Sequence, residues 1–244
     1  MRLAVIIPVY NERDLLPALI ERVDAAALPE GVTARTLVVV DDGSTDGTAE
    51  IVAALDGRDD VRTIRREVNR GKGASVRSGL AAALEAGADL VIIQDADLEY
   101  DPREHAVVCA PILDGRADAV IGSRFIGQTH RVLYFWHYVA NRAITLLSNA
   151  VTNLNLTDIE CCFKAFSREV AEHLDLKEER FGIEPEMVAK VARLRLPASG
   201  GVRPARIYET AVSYAGRTYA EGKKIGWRDG ISAVRCIVKY GLLG

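Results

Sequence analysis

Apolar residues come in short unbroken runs through the first half of the chain, with amphipathic stretches between them. Leu3 to Val9, Thr36 to Asp41, Val61 to Arg66, Leu90 to Gln94 and Ala119 to Gly122 each have strand length. Runs that are apolar throughout, rather than alternating, suit strands buried on both faces of a parallel sheet. Helix signals stand between them. Asn11 or Asp14 caps a helix reaching about Ala26, and Asp42 to Gly47 form a turn that starts a second. Gly71-Lys72-Gly73 opens a third, with Val76, Leu80 and Leu84 on one stripe, and Pro102 starts a fourth. The alternation predicts an α/β fold with a mostly parallel, Rossmann-like sheet flanked by helices.

The second half is less regular. Residues 131 to 154 repeat apolar positions at helical spacing, Cys161 to Phe166 reads as a strand, and Phe181 to Leu194 as a helix with Pro185 in its first turn. Arg206 to Tyr214 alternates like a half-exposed strand, and Trp227 to Leu242 is a closing helix. Pro197 to Gly201 is a loop too short to divide the chain, so all 244 residues are expected in one domain. The run 131 to 154 predicts a packing face that takes in His137, with His130 beside it, and His105 and His173 read as helix-surface residues.

Composition narrows the classes. The apolar fraction is 49% and the net charge is -3, which suit a globular protein and exclude a general nucleic-acid binder. The average hides a basic end: from Arg203 to Gly244 there are eight Lys/Arg against three Asp/Glu. Such an end can hold phosphates or approach an anionic membrane. The four cysteines lack zinc spacing, and Cys161-Cys162 sits in an apolar stretch, as small buried hydrophobes do. No run is long enough for a membrane-spanning helix and no leader pattern is seen, so a cytoplasmic chain is expected, with any membrane contact made from that side.

In an open parallel sheet, ligands bind beyond the carboxyl ends of the strands. Here those ends carry Pro8 to Glu12, Asp41 to Ser44, Asp95 to Glu99 and Gly122 to Arg124. If Asp95, Asp97 and Glu99 continue an extended chain, they share a face roughly 7 Å apart, from a rise of about 3.3 Å per residue. Crowded carboxylates resist ionising, and a hard divalent cation such as Mg²⁺ or Mn²⁺ resolves the conflict. A polar surface loop is the competing account. Asp41 is read as a ligand contact, whereas Ser44 to Asp46 read as an Asx-type turn and helix cap. Gly71-Lys72-Gly73 can present backbone N–H groups to a phosphate, although neither Walker nor dinucleotide-binding spacing is present.

Taken in order, Pro8-x-Tyr10-Asn11-Glu12, Val40-Asp41-Asp42-Gly43-Ser44-x-Asp46-Gly47, Gly71-Lys72-Gly73, Gln94 to Glu99 and Gly122-Ser123-Arg124 resemble family 2 glycosyltransferases of the GT-A fold. Within that family the set is most similar to the dolichol-phosphate mannosyltransferase and polyprenyl-phosphate glycosyltransferase branch. The resemblance is strong over about residues 3 to 166. It implies a nucleotide-sugar part over about 1–125, and an acceptor part with a basic tail over about 126–244.

It also implies roles. Pro8, Tyr10, Glu12 and Asp41 line a nucleotide pocket, with Lys72 and Gly73 toward the phosphates. Asp95 faces the ribose or sugar side, and Asp97 ligates the metal with Asp95 and Glu99 beside it. Glu99 stands where the branch often has Gln, a departure that adds a charge. Arg124 meets a phosphate of donor or acceptor. Thr157 to Glu160 falls where relatives place a sugar-contacting acid or a general base, and Asp158 is the first candidate for that base. Arg217, Lys223 and Lys224 suit a diphosphate lid. Glu184 and Glu186 are equally compatible with reaching the acceptor and with serving as first-turn dipole partners.

The expected activity is inverting, metal-dependent transfer from a UDP- or GDP-linked sugar to polyprenyl phosphate. A soluble hydroxyl acceptor is the alternative, and a nucleotide-sugar-binding module without turnover is the alternative of another class. A nucleotidyltransferase would carry a glycine-rich loop after the first strand, where Val9 to Glu12 stand instead. The oligomeric state is open, a homodimer included.

Overall fold

In the computed structural model, which describes residues 1–222 and 226–242, the apolar runs become the centre of one sheet. β1 (Arg2–Val9), β2 (Ala34–Asp41), β3 (Val61–Arg65) and β4 (Leu90–Ile93) are parallel, with β1 between β2 and β4. β5 (Ala119–Ser123) is separated from β4 by β6 (Lys164–Ser167), which runs antiparallel to both. A later strand (Ile207–Ala211) pairs parallel with β5 and closes the seven-stranded sheet. Residues 3 to 7 of β1 and all of β4 are buried, as a two-sided cover of helices requires.

The first helices are α1 (Leu16–Ala25), α2 (Thr48–Ala54), α3 (Lys72–Glu85) and α4 (His105–Leu113), the last preceded by a 3₁₀ turn at Pro102–Glu104. Asp46 starts α2: its Oδ1 accepts from the Thr48 amide at 3.0 Å. Gly79 lets α3 lie directly on β1, since a Cβ there would stand 2.3 Å from Ile6 Cγ2.

The second half corrects several boundaries. The long helix is α5 (Phe135–Thr152), stopped by Asn153 at φ 57°, while 131 to 134 lie outside it. The expected packing face at its start is absent: Phe135 and Trp136 are 64% and 75% exposed. Only its later residues Ile144, Leu147 and Val151 join a small core, with Ile121, Leu156, Ile159, Val188 and Ile237. Cys161 to Phe163 are buried but irregular, and the strand begins at Lys164. α6 (Arg168–His173) follows β6, then α7 (Ile183–Arg193). The loop expected at Pro197 to Gly201 is a hairpin of β7 (Arg195–Ala198) and β8 (Gly201–Pro204), turned through Gly200 at φ 93°. The sheet-closing strand is therefore β9, and α8 (Trp227–Leu242) ends the chain against α5 and α7. His105, read as a surface residue, is 1% exposed.

Candidate active site

A cavity of about 400 Å³ opens at the carboxyl ends of the central strands. It gathers Pro8, Tyr10, Glu12, Lys72, Asp95, Asp97, Glu99, Arg124 and Arg217, nine of the residues picked out in the sequence. The parallel connections place these residues together: each follows a strand end or opens the next helix, so sites remote in sequence meet on one edge.

The acidic run does not continue β4. It is a turn from Ala96 onward, with Leu98 at φ 61° and packed on the main core. Burying Leu98 leaves the flanking carboxylates facing the cavity. Burial, together with the Asp95 and Glu99 charges, raises the Asp97 carboxyl to about 7. Arg217 reaches into this cluster, its guanidinium 3.0 Å from Asp97, 3.4 Å from Glu99 and 3.5 Å from Glu12. Burial works against its charge, but the three acids outweigh it and hold the guanidinium more firmly protonated. Glu99 also ties down the chain around Arg217. It accepts from the Arg217 amide and the Tyr214 hydroxyl, both at 2.8 Å, and its carbonyl accepts from Ala215.

The expected metal set over Asp95, Asp97 and Glu99 is therefore not assembled as such. Asp95 pairs with Lys72 at 2.8 Å, and Asp97 and Glu99 pair with Arg217. Among the described residues no group of three acids, histidines or cysteines converges on an ion. The donor set still fits a hard cation by type, because Asp97 and Glu99 are oxygen ligands crowded enough to need a positive partner, and Arg217 now serves as that partner.

Three expected contacts are overturned. Asp41 does not line the cavity; its Oδ1 accepts from the Ser44 amide at 3.0 Å in an Asx-type turn. Asp42 is the cavity residue, and it holds the loop between β3 and α3 through the Arg70 and Gly71 amides and Arg66. Gly73 does not face the cavity either. It is a packing glycine, whose added Cβ would meet the Glu178 carbonyl oxygen at 2.3 Å. The third correction is Asp158, expected as a general base. It is fully buried, and its two oxygens accept from Arg124 Nε at 2.6 Å and Arg124 Nη2 at 2.8 Å. Burial alone would raise its pKa, but the Arg124 charge and hydrogen bonds win and hold it below the usual carboxylate range. Both of its oxygens are committed to Arg124, which it clamps in place. Glu209 supports the clamp from β9, accepting from the Thr157 and Asp158 amides. Lys223 and Lys224 lie outside the described residues.

Two acids gain a defined place. Glu184 lies against Lys72, 2.7 Å from its Nζ, and also binds the fully buried Lys164. Glu186 instead accepts from the Lys177 and Glu178 amides, a structural task. Glu160 lines the cavity, and burial first, then the Glu184 charge, pushes its carboxyl to about 7. In the sequence it fell within the segment Thr157 to Glu160, but Asp158 was the first candidate for a base. The available signal was an ionisable residue immediately before the apolar Cys161-Cys162-Phe163.

A second cavity of about 340 Å³ adjoins the first and shares Arg124 and Tyr214 with it. Its remaining walls are mostly aromatic and apolar, including Phe125, Val132, Leu133, Tyr134, Phe135 and Tyr138, with Arg131 and His130 beside them. Arg124 lies between the two spaces, 5.1 Å above the Tyr214 ring and 5.4 Å from that of Phe125.

Comparison with known proteins agrees with this geometry. The model of the family described as Glycosyl transferase family 2 matches residues 4–175. A polyprenol monophosphomannose synthase of Mycolicibacterium smegmatis is 34% identical over 72% of this chain and 65% of its own length. An undecaprenyl-phosphate mannosyltransferase of Micrococcus luteus is 28% identical over 99% of this chain and 95% of its own. The match to a dolichol-phosphate mannosyltransferase of Pyrococcus furiosus, at 32% identity, spans only 53% of that protein. Among solved structures, glucosyl-3-phosphoglycerate synthase from Mycobacterium tuberculosis, in complex with Mn²⁺, uridine diphosphate and phosphoglyceric acid, superimposes with a TM-score of 0.70 at 22% identity. That likeness covers 99% of this chain and 78% of the other, and it is one of fold, the GT-A arrangement expected from the motifs.

Proposed function

The chain belongs to glycosyl transferase family 2, and we propose that it transfers a sugar from a nucleoside-diphosphate donor to a polyprenyl phosphate, with inversion at the anomeric carbon. One observation carries the reading: Arg124 and Tyr214 are common to a polar, acid-lined cavity and an aromatic one. Donor and lipid acceptor would meet across them.

The residues divide the work. Pro8 and Tyr10 lie at the nucleotide end of the polar cavity, beside Asp42. Mg²⁺ or Mn²⁺ would be held by Asp97 with Glu99, once Arg217 turns from these acids to the donor diphosphate. The cation would supply charge stabilisation for the departing nucleoside diphosphate. Arg217 adds a bidentate cation to the same oxygens, and Lys72 holds Asp95 in place. Burial disfavours the Lys72 charge, yet Asp95 ahead of Glu184 keeps that ammonium well above its ordinary pKa. Arg124, fixed by Asp158, would orient the acceptor phosphate, while the aromatic cavity receives the first isoprene units. A phosphate acceptor is already an anion and needs no base. The buried, Arg-clamped Asp158 favours this over a hydroxyl acceptor, which would need one.

No helix among the described residues is long and apolar enough to cross a membrane. Val132, Phe135 and Trp136 are exposed beside the aromatic cavity, and contact with a bilayer surface through them would deliver the lipid. The deciding experiment screens UDP- and GDP-hexoses with Mn²⁺, with and without short-chain polyprenyl phosphates. Nucleoside diphosphate release stimulated by a lipid phosphate is expected. Turnover indifferent to every lipid phosphate would overturn the acceptor, and binding without any turnover would leave only a nucleotide-sugar-binding module.

A further inference from the structure

Lys164 stands where the strand pattern calls for an apolar side chain. It opens β6 between Phe163 and Ala165, lies beside Ile121 in the sheet and is fully buried. A buried ion pair is often no more stabilising than apolar residues of the same volume, so a charge kept here points to a task other than packing. Its ammonium donates to the Cys161 carbonyl and to Glu184 Oε2, and is fixed by both. Glu184, buried in the first turn of α7, is therefore one carboxylate between two cations, with Lys164 behind it and Lys72 in front.

The two cations treat Glu184 differently. Lys164 hydrogen-bonds to it. Lys72 Nζ lies 2.7 Å from Glu184 Oε1 but off the hydrogen-bonding direction, and that oxygen has no hydrogen-bond partner. The Lys72 hydrogen bond goes to Asp95 Oδ2 instead, at 2.9 Å. The charges alternate along Lys164, Glu184, Lys72 and Asp95, and the last three line the polar cavity while Lys164 does not. Glu184 and Asp95 thus compete for one ammonium, and Lys164 decides the competition by giving Glu184 its donor. Without Lys164, the buried Glu184 would take the Lys72 hydrogen bond, because a buried carboxylate left without a donor is the costlier arrangement.

We propose that Lys164 is a positioning residue for the polar cavity: by satisfying Glu184 it directs the Lys72 ammonium onto Asp95, and so withholds Asp95 from a divalent cation held by Asp97 and Glu99. The inference rests on the glycosyltransferase reading above and deepens it. Asp95 is near enough to Asp97 for its charge to be felt there. An Asp95 carboxylate released by Lys72 would join the acids around the cation.

The test uses the full chain with Lys164→Met, which keeps an unbranched side chain and removes the ammonium. It is compared with Asp95→Asn, and with Lys164→Met combined with either Glu184→Gln or Asp95→Asn. Mn²⁺ affinity is measured without nucleotide by electron paramagnetic resonance, kcat/KM with the preferred nucleotide sugar, and folding by thermal melting without cation. Lys164→Met is expected to tighten Mn²⁺ about tenfold, as one more charged ligand reaches the ion, and to lower kcat/KM about tenfold through the misplaced Asp95. Adding Glu184→Gln should restore both, since a neutral amide does not draw Lys72 from Asp95. In the Asp95→Asn background, Lys164→Met should leave Mn²⁺ affinity unmoved. Three results overturn the inference: equal Mn²⁺ affinity in wild type and Lys164→Met, a tightening that survives Asp95→Asn, or no recovery on adding Glu184→Gln. If Lys164→Met alone does not fold, the chain with Lys164→Met and Glu184→Gln carries the test. It should match the wild type, and a tighter Mn²⁺ site or slower turnover there overturns the inference. A wild type that turns over no nucleotide sugar fails the glycosyltransferase reading, while the Mn²⁺ comparisons still decide the role of Lys164; one that also binds no Mn²⁺ fails both.

Discussion

The Arg217 guanidinium stands 3.0 Å from the Asp97 carboxylate, with Glu12 and Glu99 on its other sides. It supplies the charge that a divalent cation would supply under the proposed function, and on that reading cation and guanidinium would compete for the same acids in the free protein. Arg217→Ala should therefore tighten Mn²⁺ binding measured without nucleotide, by electron paramagnetic resonance. The same change should lower turnover about 10²–10³-fold, the usual loss when one preorganised charge-stabilising donor is removed. Unchanged Mn²⁺ affinity in the variant would refute the competition. Asp97→Asn should abolish cation-dependent turnover, and full activity in that variant would remove Asp97 from the site.

Asp158 and Arg124 form a buried pair, and its two halves fail differently. Asp158→Ala leaves a guanidinium buried beside Tyr100 and Tyr214 without its carboxylate, which costs about 3–5 kcal/mol of stability. Asp158→Asn keeps acceptor capacity on one oxygen and should fold. Its expected defect is a raised KM for lipid phosphate, with the pH profile of turnover unchanged in shape. Loss of an ionisation from that profile would restore Asp158 as a base.

The parallel half of the fold was legible because buried parallel strands write themselves as continuous apolar runs: Leu3 to Val9 and Leu90 to Gln94 lie within a residue or two of their observed limits. The acidic motif was legible by type but not by geometry. Spacing suggested an extended chain, and only the packing of Leu98 on the core turns it into a reverse bend. Asp41 and Asp42 exchanged roles for a similar reason, since adjacent acids at a strand end are separated by which loop amides come within reach. His105 was misread because its ring turns inward to a partner, Gln94, that stands just after the end of β4. Asp158 and Glu160 differ in neighbours rather than in sequence signal: Arg124 lowers one, whereas burial and Glu184 raise the other.

Gly73 tests whether its role is packing. In a helix, alanine gains up to about 1 kcal/mol over glycine by propensity. Here the added methyl would stand 2.3 Å from the Glu178 carbonyl oxygen, a backbone atom that cannot rotate away. Overpacking of this kind costs about 1–3 kcal/mol, so Gly73→Ala should lower stability in urea titration despite its propensity. A stabilised variant would show that the 178–180 segment yields freely.

His105 makes stability depend on pH. Its ring is buried, Nε2 lies 2.9 Å from Gln94 Oε1, and burial lowers its pKa from 6.5 to about 3. The unfolded chain therefore takes up this proton below pH 6.5 while the folded chain does not. The contribution is complete above pH 6.5 and is lost as pH falls from 6.5 toward 3. Between pH 7 and pH 5 the loss from this group is about 2 kcal/mol. Glu160 works in the opposite direction, because its raised folded pKa favours the folded state as pH falls from 7 toward 4.5. His105→Gln isolates the histidine: the variant should lose less stability than the wild type between pH 7 and pH 5. Equal losses would mean that the ring is protonated in the folded protein.

The aromatic rim offers the last test, because it separates lipid delivery from chemistry. Phe135 and Trp136 are 64% and 75% exposed, and they form no part of the polar cavity. Large exposed aromatics of this kind are held in reserve for an apolar partner, and at a bilayer they sit at the headgroup level. The neighbouring Arg131 suits anionic lipid on the same side. Trp136→Ser, outside the lining of the aromatic cavity, should reduce sedimentation with vesicles containing anionic phospholipid and raise the KM for long-chain polyprenyl phosphate. Turnover with a water-soluble short-chain acceptor should be retained, since Arg124, Asp97 and Arg217 are untouched. Equal loss with short and long acceptors would move Trp136 from delivery into the acceptor site itself, and unchanged vesicle binding would overturn its contact with the bilayer.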